Sequence, residues 1–130
     1  MVAMNNITIV GLGPGDPRLL TREAWEILTQ ASEVYLRTAR HPTVDAPRDV
    51  PGLRLVSFDE VYEQTDAFAD VYQTISARIL DLATRPQGVV YAVPGHPAVG
   101  ETTTELIQQG AAARGLTVRI VEGLSFIEPL

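Results

Sequence analysis

Short runs of β-branched and aliphatic residues alternate along this chain with longer stretches whose apolar positions follow helical spacing. That alternation predicts parallel strands joined by crossover helices. Strands are expected at 7–10, 33–36, 54–58, 88–93 and 118–121. The fourth, Gly88-Val89-Val90-Tyr91-Ala92-Val93, is the most continuously apolar, so it belongs at the centre of the sheet with both faces covered. Thr21 is placed to cap a first helix, with Ala24, Trp25, Leu28 and Ala31 on the face toward the sheet. A second helix is expected from a cap at Asp66 to about Ala83, with Phe68, Val71, Tyr72, Ile75, Ile79 and Leu82 on one stripe. The third begins near Glu101, includes Leu106, Ile107 and Ala111, and closes at Gly115, a natural left-handed position. The fold class is α/β, a mostly parallel five-stranded sheet with helices on both faces.

Between the second and third strands, residues 39–52 carry Pro42, Pro47 and Pro51 and show neither period, which predicts a long surface loop. At the end of the chain, Ser125-Phe126-Ile127-Glu128 has the form of a capping box, as if a helix were starting. The expectation is that residues 1–130 are an amino-terminal domain whose partner domain follows Leu130.

Composition narrows the chemistry. The 130 residues suit a single domain, and 10 basic against 16 acidic side chains give a net charge of -6 with no long basic run. That balance argues against a nucleic-acid partner. With no cysteine, disulfides, thiolate zinc sites and cysteine nucleophiles are excluded. No apolar run approaches the roughly 20 residues that span a bilayer, and residues 1–10 lack a basic leader, so a cytoplasmic protein is expected.

Three glycine turns follow strands and face one sheet edge. The first, Gly11-Leu12-Gly13-Pro14-Gly15-Asp16-Pro17, invites a dinucleotide-binding reading. Asp16 stands where that fingerprint needs glycine or alanine, Pro14 has no N–H, and the helix starts too far on for its dipole to act. A tight turn that needs glycine only for positive φ is the plainer alternative. The second, Pro94-Gly95-His96-Pro97, follows the most buried strand, where ligand crevices form in doubly wound sheets. His96 has no visible acidic partner or metal-ligand companion, so a contact role is expected rather than a general base, and no metal site is expected. Glu122-Gly123-Leu124-Ser125 is the third. Arg37, Arg40 and His41 beyond the second strand invite a reading as receptors for a carboxylate or phosphate substrate, with solvated surface charge as the favoured alternative.

Gly11 to Pro17 followed by Leu19-Leu20-Thr21, with Ala31-Ser32-Glu33-Val34-Tyr35, the Pro94 to Pro97 loop and Glu122 to Ser125, resembles the tetrapyrrole methylase family over essentially the whole chain. Tyr35-Leu36-Arg37-Thr38 with His41-Pro42, Phe58-Asp59 with Val61-Tyr62-Glu63, and Tyr91 to Pro97 resemble in particular the methylase domain fused to MazG-type nucleotide pyrophosphohydrolases. The resemblance implies the amino-terminal half of a two-domain, commonly homodimeric enzyme that binds S-adenosylmethionine between its halves and methylates a small molecule. It implies cofactor contacts from Pro14, Pro94, Gly95, His96, Val99, Ser125 and Phe126, and weaker substrate contacts from Gly13, Asp16 and Arg37. No catalytic residue is assigned. Two positions differ from the family's pattern. Pro94-Gly95-His96 replaces a common Gly-Gly-Asp, and Arg37 stands where uroporphyrinogen methylases carry an aspartate. These differences keep open a second reading, a regulatory or scaffolding methylase-like domain beside a pyrophosphohydrolase.

Overall fold

A computed structural model of the protein describes residues 5–40, 42–48, 50–98 and 101–124. Strands β1 (Ile7–Gly11), β2 (Glu33–Leu36), β3 (Arg54–Ser57), β4 (Val89–Val93) and β5 (Val118–Val121) alternate with helices α1 (Arg22–Gln30), α2 (Asp45–Arg48), α3 (Asp59–Gln64), α4 (Phe68–Leu82) and α5 (Thr102–Arg114). All strand pairings are parallel, in the order β3-β2-β4-β1-β5. The expected α/β sheet is present, and β4 is its central strand.

Strand alternation divides the core in two. Ile7 and Ile9 of β1 and Val89, Tyr91 and Val93 of β4 bury against Val61 of α3, Val71, Ile75 and Ile79 of α4, and Ile107 of α5. The intervening residues Val10 and Ala92 turn to the other face, where Ala24 and Leu28 of α1 meet Val34, Leu36 and Val44. Connections that move one way across the sheet lie on one face and those that return lie on the other, as crossovers of uniform hand require.

Several expectations need correction. Residues 39–52 are not a structureless loop: a 3-10 turn at Pro42–Val44 runs into α2, and Val44 is fully buried. Proline there opens a helical turn, because its fixed φ suits a first helical position. Asp66 is not the cap of α4. Ala67 is, with no side-chain cap hydrogen bond, and Phe68 is 68% exposed instead of lying in the stripe. Trp25 also faces outward, while Ile27 takes the place expected for it on the sheet side. The short α3 was not anticipated. Its first turn is Asp59-Glu60, and the Asp59 carboxylate reaches back to accept hydrogen bonds from Thr38 Oγ1 at 2.7 Å and Ala39 N at 2.9 Å. Burial pushes the Asp59 carboxyl up, but these bonds, one from Ser57 and the charge of Arg40 outweigh it and hold the carboxyl below its ordinary value.

Thr21 does cap α1, accepting from Ala24 N at 3.1 Å, and Gly115 does end α5 in the left-handed region at φ 70°. A Cβ at Gly115 meets nothing within 4 Å, so only conformation resists a side chain there. Gly115→Ala is expected to cost about 1 kcal/mol in urea unfolding.

Candidate functional site at the carboxyl edge of the sheet

The order of the sheet creates the site. After β1 the chain departs toward α1 on one face, and after its neighbour β4 it departs toward α5 on the other. Adjacent strands whose connections part in this way leave a crevice at their carboxyl ends. β2 flanks β4 on the opposite side, and its connection also takes the α1 face. The loop after β4 is therefore bordered by two crevices.

At the first crevice the turns are joined by backbone. Gly13 N donates to Gly95 O at 3.2 Å, and Gly95 N donates to Gly13 O at 2.9 Å, an antiparallel bridge between loops that follow parallel strands. Leu12 N adds a bond to Val93 O at 2.8 Å. Gly13 and Gly95 hold φ of 74° and 68°, which side chains resist. Gly11 answers a different need. A Cβ on it would lie 2.6 Å from Gly95 O and 2.8 Å from both Gly123 N and Pro97 Cδ. A Cβ on Gly123 would in turn strike Gly95 O and Gly11. The three turns thus converge, as their positions after strands suggested, and they do so in backbone contact.

The sequence-predicted residues divide among three situations. Pro94 and Gly95 are buried, Pro14 is half-buried, and all three line the joined turns. His96 is half-buried, and its Nδ1 accepts from Ala98 N at 2.9 Å, so the neutral ring carries its proton on Nε2. Asp16 is used locally: it caps the 3-10 turn at Pro17–Leu19 through Arg18 N at 2.9 Å and pairs with the Arg18 side chain at 2.9 Å. The side-chain hydrogen bond from Arg18 holds the Asp16 carboxyl below its ordinary value. Val99, Ser125 and Phe126, with His41, lie outside the described residues.

Arg37 corrects the reading of solvated charge. Its side chain is only 21% exposed, and its Nε lies 3.2 Å from Glu101 Oε1, a side chain 8% exposed. The contact is ionic rather than a hydrogen bond, because Nε has no aligned acceptor. Arg37 Nη1 donates to Tyr62 Oη at 2.8 Å, and its backbone N donates to Ala92 O at 3.0 Å. On the other side Thr103 Oγ1 donates to Glu101 Oε1 at 3.3 Å, and so the Tyr91 hydroxyl donates to Thr103 Oγ1 at 3.0 Å. Burial raises the Glu101 carboxyl above its ordinary value, against the pull of Arg37 and Thr103. Burial likewise raises the Tyr91 and Tyr62 phenols. Arg40, by contrast, forms an exposed pair with Glu63 at 3.2 Å. Glu101 was legible only as a helix start. Its signal was an acidic residue in the loop after β4 and an arginine just after β2, two strands that only the sheet order makes neighbours. Among the described residues no group of three or more histidine, aspartate or glutamate side chains is placed to hold a metal, and no helix is long and apolar enough to cross a membrane.

The profile of the tetrapyrrole (corrin/porphyrin) methylases matches residues 6–130. The chain belongs to this family. It is 41% identical over 123 residues to the uncharacterized protein YabN of Bacillus subtilis (strain 168), covering 94% of this chain and 24% of YabN. Among solved structures, a uroporphyrin-III C-methyltransferase of Thermus thermophilus superposes with a TM-score of 0.68 at 25% identity, over 92% of this chain and 47% of that one. A Thermus thermophilus uroporphyrin-III C-methyltransferase complexed with S-adenosylhomocysteine shares the fold at a TM-score of 0.59 and 23% identity, over 92% of this chain and 48% of that one. This tetrapyrrole methylase chain thus spans about a quarter of the length of YabN and about half of the solved methyltransferases.

Proposed function

We propose that the joined turns after β1 and β4 form one wall of an S-adenosylmethionine site, and that the protein transfers the cofactor's methyl group to a small molecule. The observation that carries this reading is the Gly13 to Gly95 bridge at the parting of β1 and β4, in a chain of the tetrapyrrole methylase family. The groups present suit the cofactor. They are proline rings, backbone and the His96 imidazole, whose Nδ1 accepts from Ala98 N and whose Nε2 is left to donate, with neither lysine nor arginine among them. When bound, the cofactor supplies an activated methyl on sulfur. The chain's own task is then alignment, which suits an edge held by backbone hydrogen bonds rather than by titrating side chains. Val99, Ser125 and Phe126 would complete the wall, and Gly13 and Asp16 would border the acceptor.

In this reading residues 1–130 are the amino-terminal half of the fold, a following domain closes the cleft, and the assembly is a cytoplasmic homodimer. Calorimetric titration of S-adenosylmethionine into the full-length protein tests it. His96→Ala is expected to weaken binding about tenfold, the loss of one hydrogen bond from a buried ligand. No heat at millimolar cofactor would overturn the assignment.

One observation favours the regulatory alternative, a methylase-like domain governing a MazG-type pyrophosphohydrolase. Arg37 stands where uroporphyrinogen methylases place an aspartate, and it is committed to Glu101 and Tyr62. Cofactor binding that altered pyrophosphate release from nucleoside triphosphates, without methyl consumption, would establish that alternative.

A further inference from the structure

The second crevice, between the ends of β2 and β4, holds a cavity of about 100 Å³ lined by Arg37, Tyr72, Glu101 and Thr102. Three features there are unusual together. Glu101 stands at the cap position of α5 but makes no cap hydrogen bond, turning its carboxylate to Arg37 instead. Arg37 Nε is buried without a hydrogen-bond partner, whereas Arg37 Nη2 and Glu101 Oε2, which donate or accept no hydrogen bond among the described residues, are reached by solvent. Beside them Phe68, 68% exposed, packs its ring against two others: Tyr72 at 6.3 Å and 17°, and Tyr62 at 6.5 Å and 63°.

We propose that this crevice binds the lactam edge of a planar heterocycle, its ring N–H on Glu101 Oε2, its carbonyl on Arg37 Nη2 and its face against Tyr72 and Phe68. A coupled arginine and glutamate present one donor group and one acceptor side by side with no net charge. The complement of that pair is a neutral –CO–NH– edge. A free anion would have to displace Glu101 and a free cation would have to displace Arg37, and either leaves a desolvated charge unpaired. The cavity is smaller than the roughly 150 Å³ that encloses a benzene ring. It therefore admits the polar edge, while the rest of the ring lies over the aromatic side chains, whose faces favour stacking. This site lies across the β4 loop from the cofactor edge, and the inference holds whether or not the protein transfers methyl groups.

Uracil and 1,3-dimethyluracil are the probes, since methylation removes the N–H and leaves ring and carbonyls in place. In 1H–15N spectra of the protein, uracil is expected to shift the signals of Arg37, Tyr72, Glu101 and Thr102, and dimethyluracil to bind at least tenfold more weakly. Glu101→Gln sharpens the test, because it keeps the shape of the side chain and removes the charged acceptor that the ligand's N–H would meet. Uracil binding is expected to fall at least tenfold in this variant, while S-adenosylmethionine binding at the β1 and β4 edge is unchanged. Equal shifts from the two probes, shifts confined to other residues, or stronger perturbation by acetate than by uracil would each overturn the proposal.

Discussion

Gly11→Ala is expected to destabilise the protein by about 3 kcal/mol and to abolish cofactor binding, a large effect for one methyl group. The cost is purely one of space, since Gly11 does not hold a positive φ. The added carbon would lie within 2.8 Å of the Gly95 and Gly123 backbones and the Pro97 ring, none of which is the loose end of a side chain. To admit it the three turns must separate, and the Gly13 to Gly95 bridge opens with them. Urea unfolding measures the first effect and calorimetry the second. Gly115→Ala, which meets open space, is the control: it should lose only its small conformational cost and bind cofactor normally.

Glu101→Ala is expected to cost about 3 kcal/mol, because it strands the Arg37 guanidinium among Tyr62, Tyr72 and Tyr91. The low end of the range for buried pairs applies, since Arg37 keeps 21% of its side chain in solvent. The paired replacement Arg37→Met with Glu101→Leu should recover most of that loss. Acidity gives an independent check. The folded carboxyl titrates above its ordinary value of 4.5, so between the two values the folded chain holds a proton that the unfolded chain has released. The stability from this group is full below 4.5 and falls as pH rises through the folded value. Glu101→Gln should remove that decline. Asp59, whose carboxyl is lowered from 3.8, acts in the opposite sense and should lose its contribution only as pH falls through its folded value. If the wild-type and Glu101→Gln stability curves run parallel from pH 4 to pH 8, the carboxyl is not perturbed by burial as described.

Fold and site differ in how far they can be read from residues alone. Strand period and cap chemistry are local, so all five strands, the Thr21 cap and the Gly115 ending are legible in the chain. Residues 42–48 read as loop because proline breaks most helices, whereas Pro42 begins a turn that carries Val44 into the core. Phe68 and Trp25 misled for a common reason: large apolar side chains at helical spacing are assumed to face the sheet, and these two do not. At the site, glycine spacing showed which turns share an edge. It did not show that Gly11 and Gly123 are needed for close approach, because that depends on a third loop meeting them. Arg37 and Glu101 are 64 positions apart and become partners only because β2 lies beside β4.

The central claim is that the cofactor rests on the turns joined by Gly13 and Gly95. Hydrogen exchange of the full-length protein with and without S-adenosylmethionine tests it most directly. Binding should slow exchange across residues 12–17 and 94–98, where the bridge and the His96 loop lie, and should leave the opposite sheet edge around Glu33 and Arg85 unchanged. Protection that bypasses both turns while binding is saturated would contradict the account.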